Sequence, residues 1–138
     1  MKTKSLTFLL ALTFLFLFSG SSVVFGDDFK DAYLRKDYKE QVRLRLPSAE
    51  QGNANAQFFV GFKYYQGKGV LQDYKEAAKW FRLSAEQGNA NAQSFLGWIY
   101  AFGRGGVPKD KVLAHMWMNL AASNGSEHAI KDRNVVGK

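Results

Sequence analysis

The chain has 138 residues, 46% of them hydrophobic, a formal net charge of +7 and no cysteine. That length suits one small domain, and the missing thiols exclude disulfide staples and cysteine chemistry. The positive excess is thinly spread, with no basic run and no recognised reader motif. This argues against nucleic acid and for, at most, a weak attraction to polyanionic surfaces.

Residues 1–26 are expected to be a signal peptide. Lys2 and Lys4 precede an apolar run from Leu6 to Phe18, then Ser19-Gly20-Ser21-Ser22, and Val24-Phe25-Gly26 offers a cleavage point. The run is shorter than the roughly 20 apolar residues of a bilayer span. The expectation is therefore an exported protein, periplasmic or secreted, starting near Asp27, with no stable membrane insertion after signal removal. An uncleaved N-terminal anchor is the alternative.

Residues 27–52 form a partial leading repeat, with helices predicted over Asp28 to Lys36 and Tyr38 to Gln51. Pro47 is expected to kink or interrupt the second, since it removes a donor and crowds the preceding turn. In 53–88, Asn53 or Asn55 can cap a helix to about Tyr65, and Gly67 and Gly69 break it. Asp73 then caps a second helix whose Tyr74, Ala77, Ala78, Phe81 and Ala85 keep helical spacing, and Gly88 stops it. Residues 89–125 repeat the plan: a helix near Ala90 to Phe102, another near Asp110 to Ser123, and Gly125 as terminator. A short closing helix over Ser126 to Asn134 and a tail complete 126–138. No segment alternates with period two, so the fold class is all-α.

The organisation is repetitive. Ala49 to Gln57 recurs letter for letter at Ala85 to Gln93, a spacing of 36, and Asp37 to Glu40 recurs at Asp73 to Glu76 in the same register. Gly103-Arg104-Gly105-Gly106-Val107 has one glycine more than Gly67-Lys68-Gly69-Val70. Beyond it the spacing is 37, matching Asp73 to Asp110, Trp80 to Trp117, Ala85 to Ala122 and Gly88 to Gly125. Such a period means stacked supersecondary units, none able to bury its apolar face alone.

The first full unit carries Ala56-Gln57, Gly61, Tyr64, Gly67-Lys68-Gly69-Val70, Asp73-Tyr74, Ala77, Trp80 and Ala85-Glu86-Gln87-Gly88. The second carries Ala92-Gln93, Leu96-Gly97, Tyr100, Gly103-Arg104-Gly105, Asp110, Ala114, Trp117 and Ala122-Ser123-Asn124-Gly125. This pattern resembles the Sel-1-like repeat, a relative of the tetratricopeptide repeat. The resemblance implies a short right-handed α-solenoid of stacked antiparallel helix pairs, about two full repeats with partial flanking units. It also implies a scaffold or adaptor role with a protein or peptide partner, and many bacterial members are exported. Similar proteins often continue with a long terminal helix, whereas this sequence stops at Val135-Val136-Gly137-Lys138. Cysteine-rich relatives are associated with β-lactam or peptidoglycan-like ligands, an association that the absent cysteines weaken here.

For chemistry the inventory is thin. His115 and His128 lie in no nucleophile–base or metal-ligand pattern, and Ser84, Ser94 and Ser123 have no base partner. The glycine loops lack phosphate-loop spacing. The expectation is no catalytic residue, no metal, no cofactor and no enzymatic activity.

Aromatic loading of the first helices is more informative. At 100° per residue Ala56, Gln57, Val60 and Tyr64 share the core-facing side, whereas Phe59, Phe62 and Gln66 point away. Their counterparts are Phe95, Trp98 and Phe102. The resemblance implies that these helices line the concave side, aligning Phe59 with Phe95 and Phe62 with Trp98 in a partner-binding groove. Asp28 to Lys36 or a second copy of the chain could cover that stripe instead, leaving self-association open. Trp80 and Trp117 are assigned to the core. The leading expectation is an exported protein-interaction module. An envelope enzyme or ligand binder, or a truncated family copy with little function of its own, are the alternatives.

Overall fold

The computed structural model describes residues 21–136, with side chains described for 28–132. The basic start and apolar run of the expected signal lie outside the described residues. Among the described residues seven α-helices follow one another: α1 Ser21–Leu34, α2 Tyr38–Glu50, α3 Ala54–Gln66, α4 Tyr74–Glu86, α5 Ala90–Phe102, α6 Lys111–Ser123 and α7 Glu127–Val136. A 3-10 turn, Arg104–Gly106, precedes α6. The described residues contain no strand.

The same local chemistry starts each helix of the two full units. Asn53 and Asn89 accept hydrogen bonds from the backbone N–H of Ala56 and Ala92, both at 2.9 Å. Asp73 and Asp110 accept from Glu76 and Leu113 at 3.0 and 2.9 Å. Each cap satisfies a donor with no partner inside the helix. At the other end Gly67 and Gly103 cap α3 and α5 at φ 67° and 61°, left-handed conformations that favour glycine.

Two sequence expectations change. Pro47 does not interrupt α2, which continues to Glu50, with the Gln51 N–H bonding the Pro47 carbonyl at 3.0 Å. The proline sits one turn from the helix end, and the carbonyl it orphans belongs to exposed Arg43, where water can take it. Among the described residues the leading helix spans Ser21–Leu34 rather than Asp28 to Lys36, so it includes the Val24-Phe25-Gly26 cleavage point. Removal there would leave Asp27–Leu34 of this helix on the mature chain.

The helices stack as antiparallel pairs, α3 on α4 and α5 on α6, each pair packing on the next. Gly61 and Gly97 mark the crossings: a Cβ at Gly61 would lie 2.9 Å from Phe81 Cδ1, and one at Gly97 2.9 Å from Met118 Cγ. Phe81, Leu96, Ile99 and the repeat alanines Ala77, Ala85, Ala92 and Ala114 are buried in the central core. Ala56 and Val60 form a smaller core with Ala49. Trp117 is 9% exposed, whereas Trp80 is half-buried at the edge of the Ala49–Val60 cluster, less enclosed than expected.

Buried glutamines fix the register between units. Gln57 donates to the Ala49 carbonyl at 3.2 Å and accepts from Gln87 at 2.7 Å. Gln93 donates to Ala85 at 3.0 Å and accepts from Asn124 at 3.0 Å. Each amide thereby satisfies the end of the preceding helix and is itself satisfied by the following one, which a buried polar group requires.

Candidate functional site

The first helices of successive pairs, α3, α5 and α7, lie side by side and enclose an open cleft of about 660 Å³. Phe58, Phe62 and Tyr65 come from one face of α3, at helical i, i+4, i+7 spacing. Asn91, Ser94, Phe95 and Trp98 come from α5. Arg104 follows α5, while Ser126, His128 and Asp132 bring polar groups from the start and body of α7. The floor is a connected set of rings. Phe62 meets Phe95 edge-on at 5.3 Å, Tyr65 meets Phe95 at 5.3 Å, and Phe58 lies 5.9 Å from Phe62. Such offset and edge contacts are the favoured aromatic geometries.

Hydrogen bonds to α7 hold the far wall. Trp98 Nε1 donates to Asp132 Oδ2 at 3.1 Å, and the Ser94 and Ser126 hydroxyls pair at 2.9 Å. Trp98 also stacks on Phe102 at 4.8 Å. The cleft thus combines an apolar, ring-lined floor with a mixed polar rim carrying Arg104, Asp132, Asn91 and exposed His128. Its chemistry suits apolar side chains on an otherwise hydrogen-bonding segment. Among the described residues no group of three or more His, Asp or Glu side chains gathers as a metal site.

Of the six residues expected to line the groove, Phe62, Phe95 and Trp98 line this cleft; Phe59, Gln66 and Phe102 do not. Phe59 instead packs edge-on against Phe29 of α1 at 5.7 Å, with the Lys63 ammonium 4.9 Å from its ring. Phe102 is half-exposed above Trp98, and Gln66 is half-buried at the end of α3. The expected pairing of equivalent positions also changes: Phe62 meets Phe95, while Phe59 meets Phe29. Each first helix turns one edge to its predecessor and the other to its successor. Phe59 and Phe95 look backward and Phe62 and Trp98 look forward, so contacts run diagonally between units. The sequence reading missed Phe58, Tyr65, Asn91, Ser94, Arg104, Ser126, His128 and Asp132. The i, i+4, i+7 spacing of Phe58, Phe62 and Tyr65 is the signal that would have found the true stripe.

Stacked antiparallel helix pairs with a ring-lined cleft across their first helices define a helical-repeat protein. Residues 54–89 and 90–126, more than half of the chain, match the Sel1 repeat. The chain belongs to the Sel1 repeat family, whose repeats generally mediate protein–protein interaction. It is similar to a Sel1 repeat protein from Oxalobacter formigenes, at 35% identity and a TM-score of 0.66, over 70% of this chain and 40% of that one. It is also similar to c5321, a protective antigen of uropathogenic Escherichia coli strains with an SLR fold. The identity is 32% and the TM-score 0.73, over 88% of this chain and 27% of that one. The chain therefore spans less than half the length of either relative. No curated protein sequence matches it.

Proposed function

We propose that this protein is an exported interaction module that holds a short segment of a partner protein in the cleft between α3, α5 and α7. The observation that carries the reading is the cleft itself. Five rings (Phe58, Phe62, Tyr65, Phe95 and Trp98) share an open hollow of about 660 Å³, rimmed by hydrogen-bonding groups. Aromatic residues are favoured where interfaces concentrate their binding energy. Export is supported by Lys2, Lys4 and the apolar run from Leu6 to Phe18. Among the described residues, no helix is long and apolar enough to cross a membrane.

The test places a photo-crosslinking amino acid at Asn91 or His128, exposed residues of the cleft rim, or at Met116 or Leu120 on the exposed side of α6. After irradiation of intact cells, fractionation and mass spectrometry would identify adducts and the N-terminus of the crosslinked chain. The expected result is one discrete adduct from the cleft positions, absent from the α6 positions, on a chain beginning near Asp27. Adducts independent of position would refute the cleft. A cytoplasmic chain retaining Met1 or Lys2 would refute export.

A further inference from the structure

A second cleft, of about 310 Å³, opens between α4 and the turn that follows α5, lined by Lys75, Ala78, Lys79, Arg82, Tyr100 and Val107. Tyr100 stands two residues after Trp98, about 200° around α5, so it faces away from the aromatic groove. One wall of the cleft is the glycine-rich turn Gly103–Val107. A Cβ at Gly105 would overlap Tyr74 Cβ, and one at Gly106 would lie 3.1 Å from Lys75 Cε. The glycines let this turn press against α4 and bring Val107 over as the cleft's wall.

Three cationic side chains edge a largely apolar cleft. Lys75, Lys79 and Arg82 recur at i, i+4, i+7 on one face of α4. Glu76 pairs with Lys79 at 3.1 Å, and among the described residues no carboxylate pairs with Lys75 or Arg82. Tyr100 is only 7% exposed, and its phenol oxygen accepts a hydrogen bond from Arg82 Nη2. Arg82 is otherwise exposed, so its remaining N–H groups face the open cleft. A hydroxyl that lines an open cleft keeps its O–H free to donate to a ligand oxygen, beside the Arg82 N–H groups.

We propose that this cleft binds a phosphomonoester group. Such a group carries about −1.5 to −2 charge at pH 7 and three acceptor oxygens. The two uncompensated cations, the Arg82 fork and the Tyr100 O–H match that charge and that count. A carboxylate, with one charge and two oxygens, would leave a cation unmatched. The group has two natural sources, a soluble phosphorylated molecule and a monoester lipid headgroup. The site shares no residue with the aromatic groove, so either can fail without the other.

The experiment uses the full chain, isotopically labelled, titrated with inorganic phosphate and separately with acetate at matched ionic strength. The Arg82 side-chain and Tyr100 resonances should shift saturably with phosphate alone. Arg82→Gln should weaken binding about tenfold or more, as expected for hydrogen bonds to a charged group. Tyr100→Phe should weaken it several-fold at unchanged melting temperature. Should Tyr100→Phe fail to fold, exposed Arg82→Gln still carries the test. Lys131→Gln, an equal charge change on α7, should have no effect. Cosedimentation with phosphatidylcholine vesicles with and without phosphatidic acid separates the sources. A phosphatidic-acid-dependent gain lost in Arg82→Gln assigns the headgroup, and phosphate binding without that gain assigns a soluble phosphoester. The proposal is overturned if phosphate gives no saturable shift, if acetate does equally well, or if Lys131→Gln weakens binding as much as Arg82→Gln.

Discussion

Gly61 and Gly97 occupy equivalent positions, yet the structure requires them to answer differently to alanine. In an exposed helix interior, glycine to alanine gains about 1 kcal/mol from helix propensity. At Gly61 the new Cβ would lie 2.9 and 3.0 Å from Phe81 Cδ1 and Cε1 and 3.1 Å from Trp80 Cβ, where carbon atoms prefer about 3.5–4.0 Å. Phe81 is fully buried and stacked on Phe95 at 5.3 Å, with Phe58 5.8 Å away, so its ring has nowhere to go. Trp80 Cβ moves only if α4 moves. Overpacking of this kind costs about 1–3 kcal/mol, so Gly61→Ala should destabilise by about 1 kcal/mol net. At Gly97 the nearest atoms are Met118 Cγ and Cε at 2.9 and 3.1 Å, in a buried but unbranched side chain with three rotatable bonds, with the Ala114 carbonyl at 3.2 Å. There gain and cost should roughly cancel. Thermal unfolding followed by circular dichroism should place Gly61→Ala about 4–8 °C below Gly97→Ala, using the size dependence of small domains. If Gly61→Ala melts level with or above Gly97→Ala, rigid ring packing does not set the crossing of α3 and α4.

The two tryptophans should separate in the same direction as their burial. Trp117→Ala should cost about 3–5 kcal/mol and broaden or abolish the unfolding transition, and half-buried Trp80→Ala should cost less; equal losses would contradict the placement. Lys63 is 7% exposed between the Tyr38 and Phe59 rings, at 4.5 and 4.9 Å from their centroids. Burial, and secondarily Lys68, hold its ammonium below the usual value of 10.5. A cation with a lowered folded pKa binds fewer protons folded than unfolded, so stability rises with pH between the folded value and 10.5. Denaturant melts from pH 8 to 10 should show the parent gaining stability relative to Lys63→Met; an unchanged difference would place Lys63 in solvent.

Caps, period and helix order were legible because they depend on short-range chemistry repeated in register. An asparagine or aspartate with a free side-chain oxygen three residues before an orphan N–H reads the same in sequence and in structure. Gly61 and Gly97 were legible as repeat positions, though not the unlike neighbours that distinguish them. What escaped was the relation between units. Equivalence at 36 residues invites pairing Phe59 with Phe95, but side-by-side helices present opposite edges, and only a packed neighbour tells which edge a side chain occupies. Pro47 escaped for a related reason: its cost depends on how near the helix end it lies and whether its orphaned carbonyl meets water. Asp132 and Ser126 could not be read as site residues because nothing local ties α7 to α5. That tie is the Trp98–Asp132 and Ser94–Ser126 pair of hydrogen bonds.

The same tie limits what the groove can hold. Neighbouring helices lie about 10 Å apart, so the floor from α3 across α5 to α7 is about 20 Å wide. An extended chain advances about 3.3 Å per residue, giving room for about six residues. If the proposed segment binds there, it is too short to rely on area, and its affinity would have to come from one or two anchoring side chains among the rings. The ring cluster at Phe62, Tyr65 and Phe95 is the one place where such an anchor would be enclosed by several side chains, with Arg104, His128 and Asp132 left to choose among flanking charges. Selectivity would then reside on α7 and the post-α5 turn, and affinity on α3 and α5. Exchanging Arg104 or His128, but not Asp132, which holds Trp98, should therefore change which segment is bound while leaving the strength of the apolar anchor largely intact.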